Sequence, residues 1–133
     1  MVVGVTAELD DPSTEDVIIS KWRKISADTK PEMRQAVDET LRRFGFKIER
    51  LEIRRANSIA VLFICLTLAT VRHLRDQWCS GQFADIIQKL FTVLSCTDSE
   101  TVSIRSLSWP ETDYERCSSF FSSVQGKQLV TCQ

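Results

Sequence analysis

Apolar and polar positions change period several times along this chain, and each change predicts an element. Residues 2 to 9 (VVGVTAEL) are rich in β-branched side chains and predict a strand, weakened by Gly4 and by its terminal position. From Pro12 the period turns helical. Ser13 with Asp16 three residues on resembles a capping box, and Ile18, Trp22 and Ile25 follow at helical spacing, which predicts a short helix over 14–25. Thr29 is placed to cap a second helix with Pro31 in its first turn. Met33, Val37, Leu41 and Phe44 then recur every three or four residues until Gly45 supplies the stop.

After Gly45 the period drops to two. In KIERLEIRR, Leu51 and Ile53 fall on one face and Arg50, Glu52 and Arg54 on the other, as in a half-buried strand. Ala56-Asn57-Ser58 breaks the pattern, and Ile59 to Thr67 (IAVLFICLT) is apolar in both phases, so a β-hairpin is expected. A two-residue loop at Asn57 and Ser58 places Arg54 beside Val61, Glu52 near Phe63 and Arg50 near Cys65, with Leu51, Ile53, Leu62 and Ile64 on the opposite face. A slip of one residue would exchange the two faces. From Leu68 two helical segments meet at Gly81. Val71, Leu74 and Trp78 stripe the first, and Phe83, Ile86, Ile87, Leu90, Phe91 and Leu94 stripe the second. Thr101 to Trp109 alternates as a strand, and Pro110 closes it and opens a last helix carrying Tyr114, Cys117 and Phe120 or Phe121. Residues 1–126 are read as a single domain and 127–133 as a C-terminal tail.

This order suits an α+β fold: a ferredoxin-like sandwich with an antiparallel four-stranded sheet and helices packed mainly on one face. The other face then meets solvent. On the two-residue register it carries Val61, Phe63 and Cys65, bordered by Arg50, Glu52 and Arg54, and an apolar strip rimmed by charge is a candidate protein-binding patch. The competing expectation is that segment 1–10 or the last helix folds over it.

Composition narrows the chemistry. With 133 residues, 43% hydrophobic and 26% charged, the chain is long enough for one core. A formal charge of −1 provides no global field for nucleic acid or acidic lipid. The basic residues Arg42, Arg43, Lys47, Arg50, Arg54 and Arg55 are interrupted by Glu49 and Glu52, which suits cross-strand ion pairs better than a phosphate track. His73 is the single histidine and has no catalytic partner at a telling spacing, so no catalytic residue, metal site or cofactor is assigned. Five cysteines without a C-x-x-C pair suggest reduced thiols in a cytoplasmic protein, with Cys65 and Cys117 on apolar stripes. The apolar run Ile59 to Val71 is too short to span a bilayer. Nucleotide-binding and hydrolase motifs are missing, and a small-ligand or RNA-binding ferredoxin-like module stands as the alternative to a protein-interaction domain.

Three stretches carry a family resemblance: the hairpin LEIRRANSIAVLFICLT; the pattern Leu74-x3-Trp78-x2-Gly81-x-Phe83-x2-Ile86-Ile87; and Asp113-Tyr114-Glu115-Arg116-Cys117 before an apolar turn. In this order and spacing, residues 44–121 resemble the TRADD N-terminal domain family. The resemblance implies an α/β sandwich without enzymatic activity that acts by protein binding in innate immune or cell-death signalling. It also implies a sheet side that meets a TRAF-like adaptor, or a second copy. By position, that surface is expected to include Arg50, Glu52, Arg54, Val61 and Phe63, with no nucleic acid, membrane or small-molecule substrate as partner. The chain carries no death domain, so contacts made through one are not implied.

Overall fold

The computed structural model describes residues 1–26, 31–95 and 102–131. In chain order they form β1 (Val2–Leu9), α1 (Pro12–Ser26), α2 (Pro31–Arg42), a short 3-10 turn (Ile48–Arg50), β2 (Leu51–Arg55), β3 (Ile59–Ile64), α3 (Leu68–Cys79), α4 (Gln82–Ser95), β4 (Ile104–Ser108) and α5 (Glu111–Thr131). The four strands make one antiparallel sheet in the order β2-β3-β1-β4, which gives the expected α+β class. Segment 1–10 is therefore a central strand and not a cover for the sheet.

Local chemistry sets the helix ends. Asp11, not Ser13, caps α1: its Oδ1 accepts the Ser13 backbone N–H at 3.0 Å and the Ser13 hydroxyl at 2.7 Å, and these bonds hold the Asp11 carboxyl below its ordinary pKa. Pro12 occupies the first helical position, where its missing N–H costs nothing. Helix α2 ends as expected at Gly45, whose φ of +82° suits a residue without Cβ. Phe46 N–H reaches back to Leu41 C=O at 3.0 Å and Gly45 N–H to Arg42 C=O at 3.1 Å, satisfying the last carbonyls. Thr67 caps α3 by accepting the Thr70 N–H at 3.2 Å, and Gly81, at φ +83°, turns α3 into α4. Helix α5 continues to Thr131, through most of the stretch expected as a tail. The expected Thr29 cap, Thr101, Cys96 and Cys132 lie outside the described residues.

One face of the sheet is buried under the helices. Val3, Val5, Ala7 and Leu9 of β1, Ile59, Val61 and Phe63 of β3, and Leu51 and Ile53 of β2 all point into it. Against them pack Ile18, Trp22 and Ile25 of α1, Val37 and Leu41 of α2, Val71 and Leu74 of α3, and the full stripe of α4. Each buried Val, Leu, Ile or Phe among them contributes about 1.5–3 kcal/mol of apolar transfer free energy. At the sheet end, buried Glu15 accepts the Leu9 backbone N–H at 3.1 Å and an Arg55 N–H at 3.0 Å, while Asp16 takes the other arm of the same guanidinium. That ion pair ties α1 to the ends of β1 and β2.

The hairpin departs from its expected register. Its loop is Ala56-Asn57-Ser58, three residues closed by an Ala56 N–H to Ser58 C=O bond of 3.0 Å, so Leu51 lies opposite Phe63, Glu52 opposite Leu62, Ile53 opposite Val61 and Arg54 opposite Ala60. The added loop residue exchanges the two faces of β3. Val61 and Phe63, expected on the solvent side, are 0% and 3% exposed in the core, and Cys65 is buried with them.

Candidate interaction surface

The solvent side of the sheet is built from the opposite set of positions: Val2, Gly4, Thr6 and Glu8 of β1, Ala60, Leu62 and Ile64 of β3, Glu52 and Arg54 of β2, and Ser106 and Ser108 of β4. Val2 pairs directly with Ile64, and with half-buried Leu62 they form an apolar strip; Val2 is 45% exposed and Leu66, just beyond β3, is 54% exposed. Glu52 and Arg54 border the strip on the β2 side, as the sequence suggested. Arg50 sits instead in the 3-10 turn at the sheet's end. Of the five residues assigned from sequence, then, Glu52 and Arg54 lie on the open face, Arg50 lies beside it, and Val61 and Phe63 belong to the core. Sequence reasoning missed Leu62, Ile64 and Val2. Alternation in β2 held the signal, because Leu51 and Ile53 mark the core side and the bulky Phe63 joins them only across a three-residue loop.

The last helix does not cover this face. Strand β4 pairs only with Thr6–Leu9, and α5 takes its place along the first half of β1: Asp113 accepts the Gly4 N–H at 3.2 Å and the Cys117 thiol donates to Val2 C=O at 3.7 Å. An aromatic seam fixes that position. Trp78 of α3 stacks on Trp109 with centroids 5.3 Å apart, Phe83 meets both edge-on, and the Arg75 guanidinium lies over the rings of Trp109 and Tyr114 while pairing with Glu111 at 3.1 Å. The Trp78, Gly81, Phe83, Asp113, Tyr114 and Cys117 positions of the sequence pattern thus act as packing, bonding and turn residues joining α3, α4, α5 and β1, while Glu115 and Arg116 are exposed.

Reactive chemistry is sparse. His73 Nε2 donates to Phe44 C=O at 2.7 Å and its ring packs on Phe46, so the imidazole braces the α2 exit. Burial pushes the Cys65 thiol up to about 11, and the same cause raises Cys117, leaving both as small apolar groups. Among the described residues no group of three or more His, Cys, Asp or Glu is placed to hold a metal ion, and no helix is long and apolar enough to cross a membrane. A cavity of 220 Å³ lies between the 45–50 segment, the end of β3 and α3, lined by Gly45, Phe46, Lys47, Arg50, Phe63, Ile64, Thr70 and Leu74.

Compared with known proteins, the chain matches no family model, no curated protein and no solved structure.

Proposed function

We propose that this chain is a non-enzymatic protein-interaction domain of the TRADD N-terminal type, acting in the cytoplasm in innate immune or cell-death signalling. On this reading it is a ferredoxin-like sandwich that docks a TRAF-like adaptor on its open sheet face. The observation that carries the reading is the solvent-facing strip of Val2, Leu62 and Ile64, edged by the charges of Glu52 and Arg54. Apolar surface at the centre with charge at the rim is how protein interfaces are built. The sequence pattern of Trp78, Gly81, Phe83 and Asp113 is what supports the family assignment; Trp78 and Phe83 pack edge-on, Gly81 makes the turn between their helices, and Asp113 ties α5 to Gly4 of β1. The RNA-binding alternative needs rings on this face for base stacking, and Phe63 points away from it. A small-ligand role, the second reading, would fall to the two adjoining hollows around Gly45, Phe46 and Lys47, of about 220 and 600 Å³, the larger within the roughly 300–1,000 Å³ usual for such sites.

The test is titration calorimetry of the chain against a purified TRAF-type C-terminal domain. Wild type binds, and Ile64→Glu loses binding while its thermal unfolding stays close to wild type. Equal binding by wild type and Ile64→Glu, or no binding by wild type, overturns the reading.

A further inference from the structure

We infer that the smaller hollow at the sheet's end binds a small organic carboxylate with an apolar body: Lys47 and Arg50 meet the carboxylate at the rim, and Phe46, Phe63 and Leu74 hold the apolar part. The inference rests on the small-ligand reading of these hollows and gives that reading a chemistry; it requires no partner protein.

The two hollows share Gly45, Phe46 and Lys47 but differ in charge. The larger also has Asp38, Arg42 and Glu49 in its lining, and those charges are matched: Asp38 pairs with Arg42 at 2.9 Å and Glu49 with Arg34 at 3.7 Å. The smaller is lined by Lys47 and Arg50 and by no acid. Among the described residues neither of these cations has an ion pair, and both are exposed. Local structure holds them together: the Arg50 N–H donates to Lys47 C=O at 3.0 Å, closing a 3-10 turn in which residues three apart stand over the same side. Two positive charges at one rim repel each other, and an anion between them replaces that repulsion with attraction. Thr70 adds a hydroxyl to the same lining. Its 3.0 Å bond with the Thr67 hydroxyl can run with Thr67 as donor, which leaves the Thr70 O–H for a ligand oxygen.

Away from the rim the lining is apolar. Phe46, Phe63 and Leu74 are 7%, 3% and 0% exposed, and the rings of Phe46 and Phe63 lie with centroids 5.3 Å apart. A fully hydrated ion such as inorganic phosphate gains nothing from these walls, whereas an apolar body attached to the anion is drawn out of water by them. An aromatic body suits them best, because a third ring can join Phe46 and Phe63 edge-on or offset. Size sets the length of the ligand. An apolar cavity of about 150 Å³ takes up benzene, so 220 Å³ leaves room for one ring and a short acid arm. The planar guanidinium of Arg50 matches both oxygens of a carboxylate, and Lys47 adds a point charge that needs no fixed direction.

Titration of the full chain with phenylacetate and with its neutral amide, phenylacetamide, followed by the backbone amide resonances, tests this. Phenylacetate is expected to shift Phe46, Lys47, Arg50 and Thr70 with a Kd of about 1 mM or tighter. Phenylacetamide has the same shape without the charge, and is expected to bind about tenfold or more weakly than the acid. The double variant Lys47→Gln with Arg50→Gln is expected to lose acid binding by at least the same factor while its thermal unfolding stays at wild type, since both side chains are exposed. Amide binding as tight as acid binding overturns the carboxylate chemistry and leaves the small-ligand reading standing. If neither compound moves these resonances at about 20 mM, both fall. Acid binding that survives the double variant also overturns the proposal. The acid and amide are compared on wild type alone, so that arm decides even where the variant does not fold.

Discussion

Strand β3 is apolar at every position, yet its two faces have opposite fates. Ile59, Val61 and Phe63 are at most 3% exposed beneath four helices, while Leu62 and Ile64, one step along the same backbone, look toward solvent. Hydropathy does not separate the two sets. What separates them is the register of the hairpin, set by a loop of three residues, and therefore by the neighbour each side chain receives rather than by its own character. A two-sided apolar strand thus serves a core and a candidate docking surface at once.

The sharpest way to break this comparison is to truncate one residue from each face. Phe63 packs its ring against Phe46 and Phe83 with centroids 5.3 and 5.4 Å away, so Phe63→Ala leaves a cavity that its neighbours cannot fill and is expected to cost about 3–5 kcal/mol. Ile64→Ala, with solvent on one side, is expected to cost about 1 kcal/mol or less. Urea unfolding of the two variants measures the difference, and equal costs would show that both faces are packed.

The class of fold, the two helix pairs, the glycine stops at Gly45 and Gly81 and the four strands were legible in the sequence, because each is written in local spacing and turn chemistry. Register was not. Ile59 to Ile64 is apolar in both phases, so alternation could not say which half faces inward, and Asn57-Ser58 looks like a two-residue loop although Ala56 belongs to the turn as well. The helix start at Asp11 was missed for a similar reason, since Asp11 and Ser13 are both good capping residues two positions apart. The place of α5 was beyond sequence reading altogether. It depends on Gly4 leaving its N–H for Asp113, a contact across 109 residues.

A second, intermediate effect extends the buried side of the comparison past the strand's end to Cys65. Its thiol is raised to about 11 because burial disfavours the thiolate. The sign follows from linkage: the folded state holds the proton more tightly than the unfolded state. The contribution is thus complete below the ordinary thiol range and is lost as pH rises from there through about 11. Unfolding free energy measured across that alkaline window is expected to decline in wild type and to decline less in Cys65→Ala. In labelling at neutral pH, exposed Cys79 is expected to react ahead of buried Cys65 and Cys117.

The smallest effect tests the open side. A methyl group added at Gly4 emerges on the solvent face of β1, where it meets Leu62 Cδ2 at 2.7 Å and Asp113 Oδ2 at 3.6 Å. The first distance is too short for a fixed neighbour, but the atom is the tip of a flexible side chain that has solvent beside it, and the second is ordinary contact. The backbone at Gly4 does not have the positive φ that excludes other residues, and the N–H donated to Asp113 is retained. Leu62 therefore rotates outward, and the alanine also removes conformational freedom from the unfolded chain, worth about 0.4–1 kcal/mol in the opposite sense. Gly4→Ala is expected to change stability by less than about 1 kcal/mol. A loss well beyond that, measured by the same urea titrations, would mean that Leu62 is held as rigidly as Phe63 and that the open face is closed.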